Sequence, residues 1–226
     1  MRELDSTKAL VVFSGGQDST TCLAWAIDKW DRPNVEAVTF DYDQRHIGEI
    51  EQAAIICEKM GVVQTIIKND LFSNFSGSAL LDKAMDINAA EDELPSSFVP
   101  GRNAFFLLAA AMMAYKRKIK NIVAGVCQTD YSGYPDCRNE SIRSVQTMLN
   151  LCMETDFAVY TPLMYLTKAQ TFALADNLSI LDMVIKYSST CYEADKTWHA
   201  WGYGCGVCPA CKLRKRGYDE FSRQKA

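Results

Sequence analysis

Ala9-Leu-Val-Val-Phe-Ser14-Gly15-Gly16-Gln17-Asp18-Ser19-Thr20 passes from a short apolar run straight into two glycines set between hydroxyl residues. Leu10 to Phe13 reads as a buried strand. Thr20-Thr21-Cys22-Leu23-Ala24-Trp25-Ala26 opens a helix directly afterwards. Glycine lets the backbone approach an anion without a Cβ in the way. The unpaired amides and positive dipole end of a helix N-terminus favour that anion further. Ser14, Ser19 and Thr20 add hydroxyl donors, and Asp18 is placed to hold a Mg²⁺ on the bound oxyanions.

Outward from this loop the chain alternates between strand-like and helix-like stretches, which predicts a parallel sheet covered on both faces. Strands are expected at Ala9–Phe13, Val35–Phe40, Val63–Ile67, Asn121–Ala124 and Ala158–Tyr160, and helices at Thr20–Trp30, Gly48–Met60, Asn103–Arg117 and Ser141–Met153. Thr167-Lys-Ala-Gln170 has the form of a capping box opening a further helix to about Asn177. The apolar run Ala104 to Ala114 reads as a buried helix, and at 11 residues it is too short for a bilayer that needs about 20. Asp70 to Pro100 fits neither period and is read as a substrate-side lid. In an open α/β sheet the ligand crevice lies beyond the carboxyl ends of the strands, so Ser14–Ser19 and Thr39–Tyr42 should face one site.

Composition narrows the function classes. A chain of 226 residues with 48% apolar content can bury a full core. Its net charge of −4 gives no electrostatic footprint for nucleic acid, which argues against an RNA-binding zinc module built on Lys212, Arg214, Lys215 and Arg216. The opening Met1-Arg-Glu-Leu-Asp-Ser carries no signal-peptide pattern, and nine cysteines without one argue for a reducing, cytoplasmic setting.

Cys191-x13-Cys205-Gly206-Val207-Cys208-Pro209-Ala210-Cys211 is the second strong pattern. Four thiolates with two Cys-x2-Cys steps sharing Cys208 can close a tetrahedron around Zn²⁺, although Cys-x2-Cys-x2-Cys also occurs in iron–sulfur runs. Cys22, Cys57, Cys127, Cys137 and Cys152 sit singly and read as small hydrophobes.

Three further segments are too polar for ordinary core. In Phe40-Asp-Tyr-Asp-Gln-Arg-His46, Asp41 suits a ribose or Mg²⁺ and Arg45 a phosphate, while His46 suits either a site or a helix start. Val99-Pro-Gly-Arg102-Asn103 sets an arginine at a rigid turn, suited to bidentate oxyanion contact or to a plain helix start. In Thr129 to Arg138, Asp136 offers two acceptors to a guanine-like edge and Tyr134 a stacking face.

The loop lacks the lysine of a Walker A sequence and the third glycine of a dinucleotide fingerprint. Ser-Gly-Gly-Gln-Asp-Ser instead resembles the PP-loop of the ATP pyrophosphatases. That likeness implies adenylation with release of pyrophosphate, and an ATP site made of Phe13, Ser14, Gly15, Gly16, Gln17, Asp18, Ser19, Thr20 and Asp41. With Gln44-Arg-His46, Phe98-Val-Pro-Gly-Arg-Asn103, Gly125-Val-Cys127, Ser132-Gly-Tyr-Pro-Asp-Cys-Arg138, Thr161-Pro-Leu-Met164 and the four cysteines, the chain resembles the 7-cyano-7-deazaguanine synthase family from about Leu10 to Leu213. It departs at Asp43, where glycine is expected, and in a long spacer containing Trp198, His199 and Trp201.

The resemblance implies a Rossmann-like, doubly wound parallel sheet (residues 1–180) with a small zinc-binding helical segment (residues 181–226). It implies conversion of 7-carboxy-7-deazaguanine, ammonia and ATP to a nitrile, with Mg²⁺, one structural Zn²⁺ on Cys191, Cys205, Cys208 and Cys211, and a homodimer. Asp18, Arg102 and Arg138 are then the expected catalytic residues. Arg45, Arg102, Tyr134 and Asp136 are the expected substrate contacts. A related PP-loop ligase that stops at the amide, or acts on another carboxylate, is the alternative.

Overall fold

A computed structural model describes residues 3–42, 48–74, 78–81, 90–91, 94–129 and 133–225. In chain order the elements are β1 (Asp5–Val12), α1 (Gln17–Trp30), β2 (Val35–Asp41), α2 (Gly48–Met60), β3 (Val63–Lys68), β4 (Ala90–Glu91), β5 (Leu94–Pro95), α3 (Arg102–Arg117), β6 (Ile119–Ala124), α4 (Asn139–Met153), β7 (Ala158–Tyr160), α5 (Lys168–Asn177), α6 (Leu181–Tyr187), β8 (Trp198–His199), β9 (Gly202–Tyr203) and α7 (Pro209–Lys225). The main sheet has the order β3-β2-β1-β6-β7, and every pair in it is parallel.

Side-chain alternation along β1 explains why both faces are covered. Ala9, Val11 and Phe13 join Leu23, Ala26, Ala53 and Ile56 in one apolar layer. Leu10 points the other way, into a layer with Leu107, Ala110, Ile122 and Val159. Each large side chain removed from water this way contributes about 1.5–3 kcal/mol. The chain leaves β1 toward β2 on one side and returns through β6 on the other. A crevice therefore opens at the carboxyl end of β1, where the order reverses.

Several element boundaries differ from the sequence expectation. β1 begins at Asp5 rather than Ala9, because the Asp5 amide bonds to the Lys118 carbonyl at 2.7 Å whatever its side chain's polarity. α1 begins at Gln17, with Gly16 as its N-cap, so Asp18 lies in the first helical turn. α3 is not wholly buried: Leu107, Ala110, Ala111 and Ala114 are enclosed, but Met112 is 61% exposed. α6 had no counterpart in the sequence reading.

The expected capping box is present, with the Gln170 amide donating to the Thr167 hydroxyl and the Gln170 side chain accepting from the Thr167 amide. In the expected lid, Phe72, Ala79, Leu80 and Val99 pack with Tyr42, Phe105 and Phe106, and β4 pairs with β5. Residues 75–77, 82–89 and 92–93 of that stretch lie outside the described residues. Among the described residues no helix is long and apolar enough to cross a membrane.

Candidate active site

A cavity of about 300 Å³ opens at the carboxyl ends of β1 and β6, at the lower bound of small-molecule sites (roughly 300–1,000 Å³). Phe13, Ser14, Gly16, Gln17, Asp18 and Ser19 form its floor. The loop is braced internally: the Ser14 and Ser19 hydroxyls lie 3.1 Å apart, and the Thr20 hydroxyl donates to the Gly16 carbonyl at 2.8 Å. Gly15 sits at φ +81°, and a Cβ there would fall 2.9 Å from the Ala53 backbone nitrogen. A Cβ on Gly125 would fall 3.1 Å from the Asp18 and Ser19 backbone. Both glycines are required by contact, since the loop packs directly on α2 and on the end of β6.

Lys168 does not line the cavity and braces its floor from behind, through Asp18. Its Nζ lies 2.9 and 2.8 Å from the two carboxylate oxygens of Asp18, and its side chain is 8% exposed. The loop has no lysine of its own, and the first residue of α5 supplies one. The sequence reading missed it because the surrounding Thr167-x-x-Gln170 was already explained as a helix start.

Arg102, Phe106, Tyr42, Glu49 and Tyr192 line the upper walls. The Arg102 guanidinium stays charged: burial works against it, and the facing Tyr42, Tyr134, Tyr192 and Asp136 hold its pKa above the ordinary value. Burial raises Tyr42 and Tyr192, so both are neutral phenols. Glu49 is pushed up to about 7, with burial the main cause, Arg102 opposing it and Cys191 adding to it.

The other expected residues are placed differently. Asp41 ends β2 with its carboxylate 3.9 Å from the Lys68 ammonium, and it does not line the cavity. Tyr134 is buried, its hydroxyl 2.5 Å from that of Ser97 and its ring 5.8 Å from the Arg102 guanidinium. One Asp136 oxygen accepts from the Asn103 amide at 2.9 Å, at the start of α3, while the other is buried with no hydrogen-bond partner among the described residues. Arg138 is exposed at the N-cap of α4, outside the cavity wall. Arg45, His46, Asp43 and Asp130 lie outside the described residues.

Ser189, Thr190 and Tyr192 form the last wall and lead directly from the cysteine cluster. The Ser189 amide donates to the Gly15 carbonyl at 3.1 Å. Buried Arg214 anchors this wall through bonds to Thr190 Oγ1, the Ser188 and Val184 carbonyls and the Trp201 carbonyl.

The sulfurs of Cys191, Cys205, Cys208 and Cys211 all lie within 4.8 Å of one another. Bonds of about 2.3 Å in a tetrahedron put sulfurs roughly 3.8 Å apart, and the Cys205–Cys211 pair is at 3.9 Å. Backbone amides of Cys205, Cys208 and Cys211 point at the sulfurs of Cys191, Cys205 and Cys208 respectively, at 3.3–3.5 Å, a pattern that stabilises thiolates. The four cysteines could hold a metal ion, and this set suits zinc. The long spacer forms β8 and β9, with His199 stacked on Trp201 at 4.4 Å and its Nε2 2.9 Å from the Gly204 carbonyl.

Comparison with known proteins decides the family. The model described as "Queuosine biosynthesis protein QueC" matches residues 8–222. The chain belongs to the QueC family. A 7-cyano-7-deazaguanine synthase from Wolinella succinogenes is 48% identical over 223 residues, covering 96% of this chain and 95% of the relative. The synthase of that name from Bacillus subtilis is 48% identical over 221 residues, covering 96% of each. Among solved structures, an NH3-dependent NAD synthetase from Campylobacter jejuni aligns with a TM-score of 0.49 at 15% identity, over 80% of this chain and 67% of its own. Within the QueC family frame, the cavity at the β1 end is the candidate site of chemistry and the cysteine cluster flanks it.

Proposed function

We propose that this chain converts 7-carboxy-7-deazaguanine, ammonia and ATP to 7-cyano-7-deazaguanine through an acyl adenylate and an amide. Asp18, held by Lys168 beneath the glycine loop and lining one cavity with Arg102, is the observation that carries this reading. The 48% identity to synthases of that name supports the choice of substrate.

A carboxylate is a poor electrophile and must first gain a leaving group. The loop amides at the start of α1 bind the β- and γ-phosphates, and Lys168 adds a fixed positive charge beside them. A Mg²⁺ bound with ATP would be held by Asp18 and would supply charge neutralisation for the pyrophosphate. Arg102 orients the substrate carboxylate toward the α-phosphorus through its planar fork of donors. Ammonia then displaces AMP to give the amide. A second adenylation on the amide oxygen leads to the nitrile. Orientation and charge neutralisation supply the rate, and no side chain becomes covalently attached.

A Zn²⁺ on the four cysteines stands outside the chemistry, as a staple for the 188–192 wall. Arg138, outside the cavity, carries no step. A homodimer is part of the proposal, supported by the exposed Met148 and Leu151 of α4. Product analysis by mass spectrometry tests the reading: the nitrile is expected, and accumulation of the amide alone would favour a ligase that stops halfway.

A further inference from the structure

Glu49 is the half-buried acid of the site for which the phosphate chemistry has no use. It lies in the first turn of α2 and lines the cavity with Arg102, Tyr42 and Tyr192. Asp18 and Glu49 are the two acidic side chains on that lining among the described residues. Asp18 is held by Lys168 on both oxygens, at 2.9 and 2.8 Å.

The reaction proposed above needs a base. At neutral pH ammonia is almost wholly ammonium, whose nitrogen has no lone pair to attack with. On the way to a nitrile both carboxylate oxygens leave in AMP, and every N–H bond of ammonium breaks. We propose that the Glu49 carboxylate is the base of the nitrogen steps, drawing ammonium into the cavity and accepting the protons it loses. This inference rests on the function proposed above.

The steps balance as follows. Glu49 removes one proton from ammonium and leaves neutral ammonia, whose lone pair forms the C–N bond to the acyl adenylate. The acyl C–O bond to AMP breaks, and the surplus N–H proton passes to Glu49 after it has returned the first to water. In the second round the amide oxygen attacks the α-phosphorus of a second ATP, and pyrophosphate leaves. Loss of the remaining N–H protons and of AMP then gives the C≡N bond. No oxidant or reductant is required.

Position and environment agree with this role. A helix N-terminus favours a carboxylate, and the Arg102 cation lies close enough to lower its pKa. Burial outweighs both and holds the group at about 7, where a base is most effective near neutral pH. Among the described residues, the titratable and charged groups facing it are Arg102 from α3, Tyr42 from the end of β2, and Cys191 from the C-terminal segment, with Tyr192 on the same cavity lining.

Glu49→Gln and Glu49→Asp, with the full zinc-loaded protein, separate base chemistry from binding. Exchange of labelled pyrophosphate into ATP with the carboxylate substrate reports adenylation alone. Conversion of the amide to the nitrile reports dehydration without any titration of free ammonia. In Glu49→Gln, nitrile formation from the amide is expected to fall about 100-fold or more while exchange falls no more than a few-fold. Glu49→Asp is expected to recover part of the loss. Equal loss of exchange and dehydration, or dehydration within a few-fold of wild type, overturns the role of Glu49 alone. A wild-type protein that shows neither exchange nor nitrile overturns the proposed reaction and this inference with it.

Discussion

Lys168 and Asp18 stand 150 residues apart in sequence and form a two-pronged ion pair, with Nζ at 2.9 and 2.8 Å from the carboxylate oxygens. The pair joins the first turn of α5 to the first turn of α1, beneath the glycine loop. A glycine-rich loop without its own lysine thereby gains a positive charge in space. The arrangement also sets Asp18 in one direction, with its carboxylate fixed before any ligand arrives. Such preorganisation avoids reorienting charge at the moment of reaction.

Lys168→Gln tests that relationship. The substitution removes the charge and keeps most of the side chain's volume. Pyrophosphate exchange is expected to fall about 100-fold, the scale set by losing one fixed electrostatic contact. Asp18→Asn is expected to fold and to lose most activity. The double substitution should cost much less than the product of the two single losses, because each breaks the same unit. Exchange within a few-fold of wild type in Lys168→Gln would show that Lys168 is only a structural partner.

Gly217→Ala sets two effects against each other. In the middle of α7, alanine is the better helix former by about 1 kcal/mol. A Cβ at Gly217 would nevertheless fall 2.5 Å from the Lys168 Cβ and 2.9 Å from its backbone carbon. Overpacking of that kind costs about 1–3 kcal/mol and moves Lys168 off Asp18. A lower melting temperature together with weaker pyrophosphate exchange is expected, and a stabilised, fully active variant would show that propensity wins.

The parts of the site that sequence revealed are contiguous in the chain. Phe13 to Thr20 carry their meaning locally, and the four cysteines are recognisable by spacing. Lys168 and Glu49 were not legible. Each sits in the first turn of a helix whose local pattern was already accounted for, and only the packing of α5 and α2 around the β1 end turns them inward. Asp136 shows the opposite case. Its segment is rich in groups that read planar heterocycles, yet the carboxylate turns to the Asn103 amide. α6 escaped notice because its seven residues are too few for a helical period to stand out.

Asp136→Asn follows from that placement. Its bond to the Asn103 amide fixes the start of α3, and Arg102 is the first residue of that helix. Replacing the carboxylate weakens a charge-assisted cap, worth about 0.5–2 kcal/mol. Affinities for ATP and for the carboxylate substrate are expected to fall together, with a small drop in melting temperature. Loss of substrate affinity alone, with ATP binding intact, would make Asp136 a reader of the base.

Zinc is expected at about one ion per chain, held by the four thiolates. Cys208→Ser is expected to give poorly soluble protein rather than a soluble inactive one, since a structural metal site supplies folding free energy. Elemental analysis that finds iron with inorganic sulfide would replace the zinc reading by an iron–sulfur cluster.

The stoichiometry of nucleotide to product tests the central claim most directly. Purified protein is incubated with 7-carboxy-7-deazaguanine, ammonium and excess ATP, and nitrile, amide, AMP, ADP and pyrophosphate are quantified together by mass spectrometry. The account predicts two AMP and two pyrophosphate for each nitrile, with the amide rising and then falling as an intermediate. ADP and orthophosphate as the nucleotide products, or one AMP per amide with no nitrile at any time, would contradict it.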